Sequence, residues 1–363
     1  MSVLAAIAVL ALLIVVHELG HFAAARWQGI HVNRFSIGFG PALLKHQGSQ
    51  TEYAIRAFPL GGYVGFPDDD PDSDIPLDDP NLLRNRPILD RAIVISAGVI
   101  ANLIFAYFLL VVQAGTLGLQ EIQPGVAIPE VLSQTTSVAA QAGIQANDVI
   151  VAVNEKSLGS SGETIASLKD TIQNSAHTPL NLTIQRGTET FNVNLTPEAD
   201  ANGQGKIGVM LAPNVGVRRA SSIVEAFSLG AETYQRLANV TVQGFWQLIS
   251  NFKENAPQVA GPVKIVEYGA SIASQDAGNL FQFAALISIN LAIINILPLP
   301  ALDGGQLAFL LFEALRGKPL PLKVQESIMQ TGLFLLLGLG VFLIVRDTAN
   351  LAIFQQFFQQ VGL

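Results

Sequence analysis

The stretch Ile14-Val15-Val16-His17-Glu18-Leu19-Gly20-His21-Phe22 sets two imidazoles and a carboxylate inside an apolar run. From Val3 to Val16 no side chain is polar, and Phe22-Ala23-Ala24-Ala25 resumes the run as far as Arg26. A helix of about 20 apolar residues spans the hydrocarbon core of a bilayer. Ionisable groups left unpartnered at that depth are costly, so their presence points to function. On a helix, His17 and His21 stand one turn apart on one face, spaced to hold a single Zn²⁺ together. Glu18 lies beside them, where it can take a proton from a water. A solvated helix face would account for HExxH in a soluble chain; the apolar flanks argue against it here.

Composition agrees with a membrane setting. Half of the 363 residues are hydrophobic and 13% are charged, too apolar for an ordinary soluble protein and too mixed for a purely membrane one. A net charge of −8 argues against nucleic acid as a partner. The chain has no cysteine, which removes disulfides, thiolate zinc sites and cysteine nucleophiles together. The first apolar run lacks a basic leader and a small-x-small cleavage site, so it reads as a span and not a signal peptide.

Four uncharged runs are long enough to cross: Ser2 to Ala25, Ala92 to Gln120, Ala277 to Leu302 and Ser327 to Val345. The expected division is a transmembrane helix over 1–26, a loop over 27–91, a second helix over 92–120 and a soluble domain over 121–212. An amphipathic helical connector follows over 213–276, then a third helix over 277–304, a loop over 305–326, a fourth helix over 327–346 and a tail over 347–363. The fold class is membrane α-helical, with about four spans, a membrane-associated β-hairpin and an inserted soluble α/β domain. Arg26, Arg34, Lys45, Arg56, Arg84, Arg86 and Arg91 load the first loop, and Arg316, Lys318 and Lys323 load the loop before the fourth span. The positive-inside rule makes both loops cytoplasmic, puts HELGH in the cytoplasmic half of its helix and puts the 121–275 region on the opposite side. Arg346 dissents.

Within the first loop, Val32-Asn-Arg-Phe-Ser-Ile-Gly-Phe and Thr51-Glu-Tyr-Ala-Ile-Arg-Ala-Phe alternate as strands do, with turn residues between them. Pro59-Leu-Gly-Gly-Tyr-Val-Gly-Phe follows. A hairpin or small sheet dipping toward the membrane would offer an edge, around Gly61, Gly62 and Tyr63, to an extended peptide. A solvated surface hairpin fits the same pattern. The acidic segment Asp68 to Asp79 lacks the glycine and glutamate placement of an EF-hand and reads as a solvated loop.

From about Gln123 to Leu211 the composition is that of a soluble module. A helix is expected at Glu163–Asn174 and strands at Leu180–Gln185 and Thr190–Leu195. Ala142-Gly-Ile-Gln-Ala-Asn-Asp-Val-Ile-Val-Ala-Val-Asn in that order resembles a single PDZ domain of the bacterial type, which takes an extended chain as an added strand. The peptide-binding residues would then be Gly125, Val126, Ala127 and Ile128. A spacer or size filter with an unused groove is the other reading. Ser221 to Phe252 is amphipathic at helical spacing, near the membrane surface.

Catalytic zinc usually has three protein ligands and one open position. The metzincin spacing would need histidine where Trp27 stands, so that pattern fails. His31, His46 and His177 are candidates only by residue type. The third run ends Asn290-Leu-Ala-Ile-Ile-Asn295-Ile-Leu-Pro298-Leu-Pro300-Ala-Leu-Asp303-Gly-Gly. Its two prolines break an α-helix, and broken backbone at membrane depth is tolerated only against protein or a watery cavity. Asp303 follows the break in the same cytoplasmic half and can complete a His₂Asp site.

VVHELGHF, SAGVIANLIFA and NILPLPALDGG together resemble the site-2 protease family of intramembrane zinc metalloproteases, in its bacterial and plastid branch with one PDZ domain. PLGGYVGF and GPVKI fit as well, so the resemblance covers essentially the whole chain. It implies one catalytic Zn²⁺ on His17, His21 and Asp303, and Glu18 as the acid/base. Asn102 of the G-x-x-x-N motif begun by Gly98, and Asn295 of the third span, would help hold substrate. Read alone, Gly98 and Asn102 also suit close helix packing. The implied reaction is hydrolysis of a peptide bond within or beside a transmembrane segment. The implied substrate is a single-span membrane protein such as an anti-sigma factor or a membrane-tethered regulator, in a bacterial inner or a thylakoid membrane. Two rivals remain: a secondary transporter, since broken helices also build ion sites, and a non-catalytic binding protein. The first lacks the paired repeats expected of it; an intact Glu18 argues against the second.

Overall fold

A computed structural model describes residues 2–70, 73–132, 137–160, 163–276 and 278–350; the expected tail beyond 350 lies outside them. Two compact units result, one from the chain up to Leu117 and from Ala220 onward, the other from Gly118–Arg219.

Among the described residues, the first unit holds four helices long and apolar enough to cross a membrane: α1 (Ser2–Trp27), α2 (Ile88–Thr116), α8 (Asn279–Ile296) and α10 (Leu322–Ala349). A helix satisfies every backbone polar group internally, as lipid requires. α1 and α2 meet through small residues: a Cβ on Gly20 would stand 2.5 Å from the Ala97 carbonyl oxygen and 2.7 Å from Ala101 Cβ. α2 begins four residues before the uncharged run, with Asp90 in its first turn, where a negative charge suits the helix dipole.

Between α1 and α2 lie two long strands, β1 (Arg34–Gln47) and β2 (Glu52–Gly65), each used twice. Ala42 to Gln47 pairs antiparallel with Glu52 to Arg56, while Arg34 to Ile37 runs parallel to Glu52 to Ile55 and antiparallel to Gly62 to Gly65. The expected hairpin is thus a four-stranded sheet whose edge is Gly62 to Gly65. The acidic segment beyond it is tied down at several points. Asp68 accepts hydrogen bonds from the Leu83 and Arg84 amides, and Asp70 accepts one from Asn33. Negative charge at an open helical turn satisfies its free N–H groups, which a reading by composition alone missed.

The amphipathic connector is α5 (Ile223–Ser250), the single turn α6 (Phe252–Asn255) and α7 (Pro262–Gln275). α10 is fastened to α7 at GPVKI. The Asp347 carboxylate accepts from the Lys264 amide at 3.2 Å, and a Cβ on Gly261 would lie 2.5 Å from Asp347 Oδ2. Arg346 donates to the Val259 carbonyl and pairs with Asp347, so the basic residue that dissented from the charge pattern is neutralised within the fold.

Residues 305–326 depart from the expected loop. α9 (Asp303–Arg316) follows the break directly and ends at Gly317, whose φ of 72° suits a left-handed helix stop. The prolines end α8, but Leu302 is extended and Asp303 sits in the first turn of a new helix, so the chain restarts immediately.

In the second unit, β3 (Leu119–Val131), β4 (Asp148–Val153), β6 (Leu180–Arg186), β7 (Glu189–Leu195) and β10 (Val209–Arg218) form an antiparallel sheet in the order β10-β3-β4-β6-β7. β5 (Lys156–Ser157) pairs with β4, and β8 (Glu198–Ala199) pairs with β9 (Gly205–Lys206). Alternating residues of the sheet, among them Val126, Ile128, Ile150 and Leu182, pack a core against α3 (Val138–Gln141) and α4 (Glu163–Gln173).

Asp148 is buried in this unit and accepts from Arg186 Nε at 2.7 Å, Arg186 Nη2 at 2.8 Å and the Gln145 amide at 2.8 Å. Burial pushes its carboxyl upward, but the guanidinium and the amide outweigh that and hold it below the ordinary 3.8. A depressed carboxylate stabilises the fold above its unfolded pKa and loses that contribution as the pH falls through its folded value. The protection factors of the β4 and β6 amides, corrected for the intrinsic pH dependence of exchange, should therefore fall below about pH 4 in the wild type. In Asp148→Asn that acid dependence should flatten, with lower protection at neutral pH.

Candidate metal centre

α1 carries His17 and His21 into the helix cluster, and the break between α8 and α9 delivers Asp303. His17 Nε2 lies 3.1 Å from His21 Nε2, and Asp303 Oδ2 lies 3.2 Å from the first and 3.5 Å from the second. Among the described residues these three make up the group able to share a metal ion. Donors about 2.0–2.1 Å from a tetrahedral zinc are ~3.3 Å apart, so the triangle has the size zinc requires.

The hydrogen bonding tests the fit independently. His21 Nδ1 is 2.8 Å from the Val94 carbonyl oxygen, a contact only an N–H can make, so a neutral His21 carries its proton on Nδ1 and offers a bare Nε2. Asp303 Oδ2 is buried and receives no hydrogen bond. Lone pairs aimed at one another in an apolar setting need a cation between them. The residues fit zinc.

Glycines make the convergence possible. A Cβ on Gly98 of α2 would stand 2.8 Å from His17 Cε1 and nearer still to His21 Nε2. Cβ atoms on Gly304 and Gly305 would press into the carbonyl oxygens of Leu297 and Leu299. The turn itself passes through Ala301 at φ 68°, and its amide lies 3.3 Å from Met329 Sδ. α9 is held to α2 by a two-pronged Arg91–Glu313 pair, Nη1 to Oε2 3.1 Å, a link with no local signature in sequence.

Glu18 faces the sheet. Its carboxyl accepts from the Val64 backbone, and a Cβ on Gly62 would lie 3.0 Å from Glu18 Cγ. The edge Gly61-Gly62-Tyr63-Val64 thus lines the same cavity, of about 500 Å³, as His17, Glu18, His21 and Asp303. The Arg56 guanidinium donates to the Tyr63 hydroxyl at 3.0 Å and to Ser36 Oγ at 2.7 Å, bracing that edge. Asn295 lines the cavity with Nδ2 3.4 Å from His17 Nε2.

Asn102 also stands at the wall of this cavity, with no exposed surface of its own, and turns its amide toward His17 Nδ1 at 3.3 Å. Other expected residues lie elsewhere. His31 pairs with Asp79, His46 stands beside Tyr53 in the sheet, and His177 is in the second unit. Gly125, Val126, Ala127 and Ile128 belong to β3, which is hydrogen-bonded to β10 on one side and β4 on the other. With Val126 and Ile128 fully buried, that segment has no edge to give a peptide, which corrects the expectation. The second unit's apolar cavity, about 450 Å³, lies instead between α4 and β10, lined by Ile165, Lys169, Ile172, Ile207, Val209 and Leu211. A second glycine-marked strand, Ile207-Gly208-Val209, was the available signal.

Replacing Gly98 by alanine should push both imidazoles aside. Metal content after purification should fall, with metal affinity at least about tenfold weaker on the scale of a displaced ligand shell. The helical circular dichroism should be retained.

Comparison with known proteins agrees with this geometry. The profile of peptidase family M50 matches residues 5–339. A protein of Nostoc sp. named as a zinc metalloprotease is 66% identical over 97% of this chain and 97% of its own. The chloroplastic membrane metalloprotease ARASP of Arabidopsis thaliana is 50% identical over 96% of this chain and 79% of its own. Among solved structures, the PDZ domain of the SdrC-like protein of Listeria innocua matches at 20% identity and a TM-score of 0.21, over 24% of this chain and 92% of that one. With a match that runs from the first span into the fourth, this chain belongs to peptidase family M50, the site-2 protease family, and is an integral-membrane zinc metalloprotease.

Proposed function

We propose that the protein hydrolyses a peptide bond within or beside a transmembrane segment of a single-span membrane protein. One observation carries this reading: the His17–His21–Asp303 cluster, Glu18 and an open strand edge share one cavity among membrane-spanning helices. Zinc, when bound, supplies a Lewis acid that activates water and polarises a carbonyl. Glu18 takes a proton from water and returns it to the leaving amine. The edge at Gly62 to Gly65 pairs with the substrate backbone as an added strand, and Asn295 holds the opened segment beside His17.

A substrate helix shields its own carbonyls, so it must unwind before attack, and strand pairing offsets part of that cost. The substrate class is an anti-sigma factor or a membrane-tethered regulator, in a bacterial inner or a thylakoid membrane. The distribution of lysine and arginine supports a site in the cytoplasmic half and a PDZ-like unit on the opposite side. That unit screens what enters, and its cavity between α4 and β10 is where an extended chain would be held.

The experiment compares wild type with Glu18→Gln on a panel of single-span substrates, with zinc measured on each preparation. Zinc stoichiometry should be unchanged while cleavage falls by roughly 10²–10⁴-fold, the share of rate that positioned acid–base catalysis supplies. Cleavage that survives the substitution would remove Glu18 from this role. Zinc-loaded wild type that cuts soluble peptides but no membrane span would remove the substrate assignment.

A further inference from the structure

Asn102 is the group that the reaction as described leaves unused. It stands at the wall of the metal-cluster cavity with no exposed surface of its own, and its Oδ1 is without a hydrogen-bond partner. Its Nδ2 stands 3.3 Å from His17 Nδ1. That orientation is chemically inconsistent with a metal-ligating His17. If the amide nitrogen donated to Nδ1, the ring proton would sit on Nε2, the atom aimed at Asp303 and His21. The two ends of an asparagine amide are interchangeable by a half-turn that leaves its shape unchanged. Turned over, Oδ1 gains the Nδ1 proton of His17, and Nε2 is left bare.

We propose that Asn102 is a positioning residue for the metal: its side-chain carbonyl accepts the Nδ1–H of His17 and fixes the tautomer and ring plane in which Nε2 faces the zinc. The two histidines then share one arrangement, since His21 is fixed in the same way by the Val94 carbonyl. Both fixing groups come from α2, and ligating imidazoles generally give their second N–H to such an acceptor. α8 steadies the clamp in turn, because the buried Ser288 hydroxyl donates to the Asn102 main-chain carbonyl at 2.8 Å. Gly98 and Asn102, one helical turn apart, form a single device in which the glycine makes room for the two rings and the asparagine orients one of them.

The proposal rests on His17, His21 and Asp303 being the zinc ligands, and its test separates the two ideas. Zinc affinity is measured by chelator competition on the full-length protein in detergent for wild type, His17→Ala, Asn102→Leu, Asn102→Ala and Asn102→Asp. His17→Ala binding zinc as tightly as wild type would overturn the ligand set itself. With that control weakened, Asn102→Leu and Asn102→Ala should bind about 10–100-fold more weakly than wild type, the usual loss on deleting an outer-shell partner. Asn102→Asp, which keeps the acceptor, should restore binding to within about threefold, against the 10–100-fold deficit of the deletions. Excess zinc should recover kcat in Asn102→Ala with KM unchanged. Wild-type zinc affinity in the deletions, with a raised KM, would overturn the proposal in favour of substrate holding. An Asn102→Asp deficit equal to that of Asn102→Leu would overturn it as well.

Discussion

Three potential metal-donor atoms held within 3.5 Å of one another, with the Nδ1 proton of His21 engaged by the Val94 carbonyl, dominate this molecule. In water such a cluster would relax by solvation; among apolar helices it cannot. A bound metal ion would balance it, and the surrounding packing holds the three side chains together. Gly20 lets α1 approach α2, Gly98 admits the imidazoles, and Gly304 and Gly305 let α9 start against the carbonyls that α8 leaves exposed. Each missing side chain is space already taken by the centre or its supports. The same glycines would weaken an ordinary helix, so their placement is explained by proximity and not by propensity.

The break after α8 illustrates how membrane depth constrains the chain. Pro298 and Pro300 free backbone carbonyls that lipid would not tolerate, and the structure answers with contacts from protein. Gly305 N donates to Leu302 O, the Ala301 amide lies against Met329 sulfur, and Gly332 of α10 packs on Pro300. The Arg91–Glu313 pair then fixes α9 to α2, so the helix that starts at Asp303 cannot drift from the helix that orients His21. A two-pronged, largely buried pair of this kind gives geometric register more than stability.

What could be read from the chain follows from which interactions are local. His17 and His21 were legible because helix geometry alone joins residues four apart, and Asp303 because two prolines announce a break. α9 was hidden, since the same prolines suggest a stop and nothing nearby announces the restart beyond Asp303 as a first-turn acid. The hairpin was visible as alternation, but its doubling into four strands depends on Arg34 to Ile37 pairing with two partners at once, which no pattern encodes. Composition misled at Asp68, whose carboxylate anchors a helical turn, and at Asp70, which holds the Asn33 side chain. The PDZ resemblance misled at Gly125 to Ile128, because it does not tell which strand lies at an edge; only pairing does.

In the proposed reaction, the edge beside Glu18 would also bear on selectivity. A helical segment has its amides and carbonyls engaged internally and has nothing to offer a strand edge, whereas an extended segment has a free row of both. Leaving the helical state in lipid exposes several backbone groups, each costly without a partner. In that proposal the edge at Gly62 to Gly65 would return partners to some of them beside Glu18 and the His17–His21–Asp303 cluster. Gly62 carries no side chain, so the strand lies directly against Glu18 there, while Tyr63 is braced by Arg56. Discrimination then falls on how readily a span opens near the cavity. Sequences rich in glycine or proline within the span open most easily and should be favoured over uniformly strong helix formers, whatever their side chains.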